Sequence, residues 1–231
     1  MTRPLMIFAA GFGTRMKPLT DDRPKPLVTV GSQSLLDHAL EIGTAGNADP
    51  IVVNAHYKAE MIVDHLAGSD VQVITETPQI LDTGGGLKNA LPHLPGDAIA
   101  TLNSDAVWSD PNALEMIWNA WDPAKMDALL MVVPKTSAHG HLGAGDFDLS
   151  PENQPAFRTK DTAPYVYTGL QIIKSDTLST MDETVFSLRI LWERFAKEGG
   201  LYGTVYPGTW CDVGHPEAIP MAEALLKDRD V

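Results

Sequence analysis

Leu5-Met6-Ile7-Phe8-Ala9-Ala10-Gly11-Phe12-Gly13-Thr14-Arg15-Met16-Lys17-Pro18-Leu19-Thr20, followed by Pro24-Lys25-Pro26, is the stretch that decides the fold. The apolar run Leu5–Ala10 is shorter than the apolar region of a secretory signal. It ends in Gly-Phe-Gly-Thr-Arg rather than a small-residue cleavage site, so it reads as a buried strand. In open α/β sheets ligands sit beyond the carboxyl ends of strands. Glycines there let the backbone approach phosphate oxygens, and a following helix N-terminus would add oriented N–H donors. Arg15 can fork across two phosphate oxygens, and Lys25, held between two prolines, offers a positioned point charge.

Outward from this loop, further short apolar runs recur at Ile51–Asn54, Val71–Thr75, Ala98–Asn103 and Ala128–Val133. Segments with helical spacing lie between them: Leu35, Leu36, Ala39, Leu40 and Ile42, then Met61, Ile62, His65 and Leu66, then Leu114, Ile117, Trp118 and Trp121. This alternation predicts an α/β fold, with a Rossmann-like, mostly parallel sheet and helices on both faces. From about residue 134 the pattern changes to short strands (Tyr165–Ile173, Leu201–Tyr206) and helices over Val185–Lys197 and Pro216–Lys227. The chain reads as one domain, 1–231, with a nucleotide-binding half (1–133) and a half that supplies a second substrate's walls (134–231).

Three phosphate-loop templates compete for residues 9–26. A Walker loop needs Gly-Lys-Ser/Thr, whereas Lys17 follows Met16. The dinucleotide fingerprint needs a third small residue where Met16 stands. The third template fits the whole string. Ala-Ala-Gly-x-Gly-x-Arg-Met-x-Pro-Leu-Thr with Pro-Lys-Pro resembles the signature of the sugar-1-phosphate nucleotidyltransferase family. The resemblance continues through Thr83-Gly84-Gly85-Gly86, Leu102-Asn103-Ser104-Asp105, Gly145-Asp146-Phe147, Thr168-Gly169 and Trp210-Cys211-Asp212-Val213-Gly214. Within the family, the Thr-Gly-Gly-Gly, Gly-Asp-Phe and Trp-x-Asp-Val-Gly segments look most like the short uridylyltransferases of cell-wall recycling that act on N-acetylmuramic acid 1-phosphate.

That resemblance implies a GT-A-like nucleotidyltransferase fold and Mg²⁺-dependent transfer of UMP from UTP to an amino-sugar-1-phosphate. It assigns Arg15 and Lys25 to the reacting phosphates, and Ala10, Gly11, Gly13, Thr14, Glu76, Thr83 and Gly84 to the nucleotide. Asn103, Gly145, Asp146, Thr168 and Gly169 fall to the sugar, and Asp105 and Asp212 to the metal. Thr83–Gly86 would edge the base pocket with bare backbone, or form a turn before a helix Leu87–Leu91. Asn103 either satisfies a strand end or meets sugar hydroxyls. Asp212 could instead cap the terminal helix and Asp105 a turn. His139 and His141 read as solvated, Cys211 as a small buried hydrophobe, and Trp108, Trp118, Trp121, Phe147 and Tyr167 as packing.

Composition sets the outer bounds. The chain has 231 residues with 17 Lys+Arg, 30 Asp+Glu and a net charge of −13, which argues against nucleic acid or anionic membrane as a partner. Residues 1–26 nonetheless carry Arg3, Arg15, Lys17, Arg23 and Lys25 against Asp21 and Asp22, which marks a segment for a small anion. A single cysteine excludes a disulfide framework and favours a reducing compartment. No stretch reaches 18 apolar residues, so no transmembrane helix is expected and a cytoplasmic location follows. With no hexapeptide repeats, no C-terminal β-helix is expected either. The oligomeric state stays open, as do three other readings: a GTP-using mannose-1-phosphate guanylyltransferase, a catalytically silent nucleotide-sugar sensor and a dehydrogenase.

Overall fold

A computed structural model describes residues 2–110 and 112–229. Nine strands form the central sheet: β1 (Leu5–Phe8), β2 (Ile51–Ala55), β3 (Gln72–Thr75), β4 (Ala98–Asn103), β5 (Ala128–Pro134), β6 (Phe147–Leu149), β7 (Pro155–Phe157), β8 (Tyr165–Lys174) and β9 (Leu201–Val205). Their order is β7-β6-β8-β4-β1-β2-β3, with β5 paired to β8 and β9 to β5. β1 lies between β4 and β2, parallel to both, with Leu5 opposite Ala100 on one side and Ile51 on the other. β8 enters antiparallel beside β4, so strands from both halves of the chain build a single mixed sheet.

Alternation along the strands separates two cores. Leu5 and Ile7 face α1 (Leu35–Ala45), α2 (Ala59–His65) and α4 (Ala113–Ala120), through Leu36, Ala39, Ile42, Ile62, Leu114 and Ile117. Met6 faces the other way, toward α3 (Asp82–Ala90), α5 (Ser175–Ser179) and α6 (Arg189–Glu198), through Leu87, Leu178, Leu191 and Phe195. Leu5, Met6 and Ile7 are all fully buried, each burial worth roughly 1.5–3 kcal/mol. Helices cover both faces of the sheet, and the loop after β1 turns over the carboxyl ends of its strands.

A third, smaller cluster sits beneath the glycine loop. Met16 is fully buried against Val28, Val30, Leu35, Val107, Cys211 and Val213, with Ala222 and Leu225 of α7 (Ile219–Arg229) closing it. This cluster ties the loop after β1 to the segment containing Asp212. A short three-stranded sheet completes the tie, with Trp210–Asp212 antiparallel to Ala106–Trp108 and parallel to Ala138–His139.

Three helix starts differ from the sequence reading, and one is α7, which begins at Ile219 after the 3₁₀ turn Pro216–Ala218 and not at Pro216. α3 begins at Asp82, not Leu87, because the three glycines are packed rather than loose. Gly84 and Gly85 both donate backbone N–H to the Phe186 carbonyl. α6 begins at Arg189, since residues 184–188 run along α3 and bury Phe186 and Leu188 there. Among the described residues no helix is long and apolar enough to cross a membrane.

Candidate active site

β1 ends at Phe8, and the chain turns over the sheet's carboxyl edge through Ala9–Gly13. A methyl added at Gly11 would meet nothing within 4 Å, so this stretch of backbone borders open space. Gly13 is in the left-handed region (φ 61°), and a Cβ there would fall 2.7 Å from Lys25 Cβ. Glycine is required on both counts. The turn is held by Thr20 Oγ1 donating to the Gly13 carbonyl (2.9 Å) and by Tyr57 donating to Thr20 O (3.0 Å). Gly13 leads into a single 3₁₀ turn, Thr14–Met16, and not the longer helix whose N-terminus was expected to add donors. Met16 plunges into the small cluster while Thr14 and Arg15 stay exposed on the rim. Among the described residues Arg15 has no hydrogen bond or ion pair.

A cleft of about 220 Å³ opens at this edge. Ala10, Gly11, Lys25, Thr83, Asn103 and Asp105, six of the residues singled out from the sequence, line it together. Lys25 Nζ donates to Asp105 Oδ2 at 2.8 Å, with the lysine side chain 12% exposed and the aspartate 33%. Asp212 arrives through the small sheet. Its strand pairs Asp212 with Ala106, and Val213 N–H donates to the Asp105 carbonyl at 2.8 Å, so the two acids occupy neighbouring ladder positions. Asp212 does not cap a helix: α7 is preceded by the 3₁₀ turn Pro216–Ala218, whose cap residue is His215.

The donor set bears on a metal. Two carboxylates present hard oxygens, and among the described residues no cluster of three His, Cys, Asp or Glu could close around an ion. That chemistry fits Mg²⁺, which is bound by one or two carboxylates and completes its shell with substrate phosphates and water. It does not fit a structural zinc cage.

Other residues singled out from the sequence are engaged elsewhere. Glu76 is 1% exposed, behind the cleft wall. One of its oxygens accepts from Asn54 Nδ2 (2.7 Å) and the other from Leu81 N–H (2.7 Å), while Asn54 Oδ1 accepts from Ala9 N–H. Glu76 therefore braces the loop after β1, with both oxygens engaged inside the fold. Gly84 is likewise corrected. Its N–H is taken by Phe186, and a methyl there would run into the Phe186 ring, so its bareness serves packing. Thr168 is buried, its hydroxyl donating to Met131 O (2.8 Å) and accepting from Leu170 N–H (3.4 Å), so its side chain is engaged inside the fold. Gly169 (φ 87°) makes room for Asn103, whose Cβ lies 2.7 Å from where a Cβ would stand. Gly145 and Asp146 line a separate cavity with Arg158, Tyr167, Arg189 and Trp192.

Three residues that carry no site role in the sequence analysis stand at the site. Asp82 lines the cleft in the left-handed region (φ 60°), which Asp tolerates better than most residues. Ser104 also lines it and donates to Phe8 O (2.7 Å), stapling the ends of β4 and β1. His141 is not solvated: its Nδ1 lies 3.6 Å from Asp212 Oδ2 and its ring rests against Trp210. Gly140 (φ 68°) permits this approach, and His215 holds it through the Gly140 carbonyl at 2.9 Å. Cys211 is buried as expected, its thiol pushed up to about 12 by burial and by the neighbouring Asp212 charge.

Comparison with known proteins shows the family and the fold. The model of the MobA-like NTP transferase domain matches residues 5–225. The chain is 37% identical to the N-acetylmuramate alpha-1-phosphate uridylyltransferase of Caulobacter vibrioides, over 96% of each protein. It is 29% identical to the protein of the same name from Neisseria meningitidis serogroup B, over 95% of this chain and 96% of that one. A putative glucose-1-phosphate thymidylyltransferase from Bacillus anthracis shares the fold with a TM-score of 0.83 at 18% identity, over 100% of this chain and 96% of that one. With the glycine loop, Lys25 and Asp105 lining one cleft and Asp212 on the strand paired beside it, the chain belongs to the MobA-like NTP transferase family, among its sugar-1-phosphate nucleotidyltransferases.

Proposed function

We propose that this enzyme transfers UMP from UTP to N-acetylmuramic acid 1-phosphate, giving a UDP-sugar and pyrophosphate, in a cytoplasmic step of cell-wall sugar recycling. The observation that carries the reading is the meeting of Lys25 and Asp105 in one cleft with the open glycine backbone, Asp212 being delivered alongside. The base is read as uracil because both uridylyltransferase relatives align along nearly their whole length. The chain works as one domain, 1–231, with the nucleotide on the side of residues 1–133 and the sugar toward 134–231.

The reaction demands little proton chemistry. A sugar phosphate has a second pKa of about 6, so near neutral pH its oxygen is already a nucleophile and needs no general base. That oxygen bonds to the α-phosphorus of UTP while the α–β bridging bond breaks, and the electron pair leaves on pyrophosphate. The obstacle is repulsion between two polyanions. Lys25, 2.8 Å from Asp105, can turn its charge to a phosphate oxygen, and Arg15 on the rim is free to grip the leaving end. Asp105 and Asp212 would hold Mg²⁺, which supplies charge neutralisation at the reacting phosphate when bound. Asn103, in the lining of the cleft, is assigned to the sugar hydroxyls.

Pyrophosphate release with each of four nucleoside triphosphates against N-acetylmuramic acid, N-acetylglucosamine and mannose 1-phosphates tests the reading. UTP with N-acetylmuramic acid 1-phosphate is expected to be fastest. GTP with mannose 1-phosphate as the better pair would move the protein to a guanylyltransferase, and no release from any pair would leave a sensor.

A further inference from the structure

The cavity of about 200 Å³ that holds Gly145 and Asp146 differs in character from the cleft beside it, because two guanidinium groups, Arg158 and Arg189, line it. β8 pairs antiparallel with β4 from Leu170 opposite Leu102, so its first residues, Tyr167 among them, run past the carboxyl end of β4. Tyr167 in the cavity wall leads directly into Thr168-Gly169, and Gly169 abuts Asn103 of the first cleft. A sugar phosphate anchored near Lys25 and passing Asn103 therefore extends toward this second cavity.

Most of the lining suits any pyranose. Tyr167 and Trp192 meet edge to face at 4.9 Å and offer apolar faces. Asp146 accepts Tyr167 N–H on one oxygen (2.9 Å), which leaves the other for a hydroxyl. The two arginines exceed that need. Arg158 braces the loop, donating from Nε to Gly145 O (3.0 Å) and from Nη1 to Lys160 O (3.0 Å). Arg189 is held 4.8 Å from the centre of the Phe157 ring and donates from Nε to Glu193 at 2.9 Å. Among the described residues its Nη groups have no partner. The Glu193 contact is an exposed pair four residues apart on α6, a weak tie that leaves the guanidinium available. Asp146 in the lining and Glu193 beside it balance the two cations in number, so what the cavity offers an anion is the unengaged Nη face of Arg189.

We propose that Arg189, backed by Arg158, recognises a carboxylate carried on the sugar of the sugar-1-phosphate, and so selects an acidic amino sugar over its neutral counterpart. The planar fork of arginine suits a carboxylate, which can take two parallel N–H bonds. This inference rests on the sugar-phosphate transferase reading above.

The test is kcat and KM for N-acetylmuramic acid 1-phosphate and for N-acetylglucosamine 1-phosphate, which lacks the lactyl carboxylate, in the full chain and in Arg189→Gln and Arg189→Lys. The unaltered enzyme should favour the acidic sugar by about tenfold or more, the scale of one charge-assisted contact. Arg189→Gln should remove most of that preference by raising KM for the acidic sugar, with the neutral sugar changed by less than about twofold and Arg189→Lys falling between. An unchanged preference in Arg189→Gln, or equal loss on both sugars, would overturn the assignment. Release from neither sugar in the unaltered chain would defeat the transferase reading itself, and this inference with it.

Discussion

Lys25 is the residue on which the cleft turns. Its Cβ packs against Gly13 while its ammonium, 12% exposed, reaches Asp105. Shape and charge are thus carried by different parts of one side chain. Lys25→Ala keeps the Cβ beside Gly13 and removes the rest of the side chain with its charge and its pairing to Asp105. Turnover is expected to fall by at least about a hundredfold, the loss typical of one preorganised contact to a developing anion, with the unfolding transition nearly unmoved. Steady-state pyrophosphate release alongside thermal denaturation checks this, and near-normal turnover would remove Lys25 from the phosphate site. The same residue shows what a sequence makes legible. Two flanking prolines and a charge imbalance over residues 1–26 point to Lys25, but nothing local says that its partner in the folded chain is Asp105.

At the scale of elements, α3 shows how a glycine cluster can be read two ways. Gly84 could expose backbone to a base or let another segment pack closely, and the Phe186 ring and carbonyl occupy that space. Gly84→Ala is therefore expected to destabilise the fold by about 1–3 kcal/mol through overpacking, with KM for the nucleotide little changed in the folded protein. Denaturant midpoints and nucleotide titration separate the outcomes. A stable variant with a weakened nucleotide would restore Gly84 to the base pocket. The strands were legible because Leu5–Phe8, Ile51–Ala55 and Ala98–Asn103 are short apolar runs bounded by turn residues. The start of α3 was not, since three consecutive glycines argue against helix by propensity and only contact with residues 184–186 reverses that. The engagement of Glu76 and Thr168 inside the fold is illegible in the sequence for a related reason: their partners, Leu81 N–H, Asn54 and Met131 O, are set by tertiary placement. His141 lay in an uninformative loop until the small sheet brought it to Asp212.

In the whole molecule, two layers of helices seal the faces of one sheet and leave its carboxyl edge for chemistry. The third cluster then fastens the glycine loop, through Met16, to the segment that carries Asp212. The proposed mechanism depends most on Asp105 and Asp212, far apart in sequence, acting as one unit on one divalent cation at the reacting phosphate. Pyrophosphate release by Asp105→Asn, Asp212→Asn and the double variant, measured under the same Mg²⁺ concentration, tests it most directly. Each single variant should lose most of its turnover, by about a hundredfold or more, and the double should be little worse than either, because groups that serve one ion are strongly non-additive. Near-normal turnover in either single variant, or a double-variant loss equal to the product of the two single losses, would contradict it.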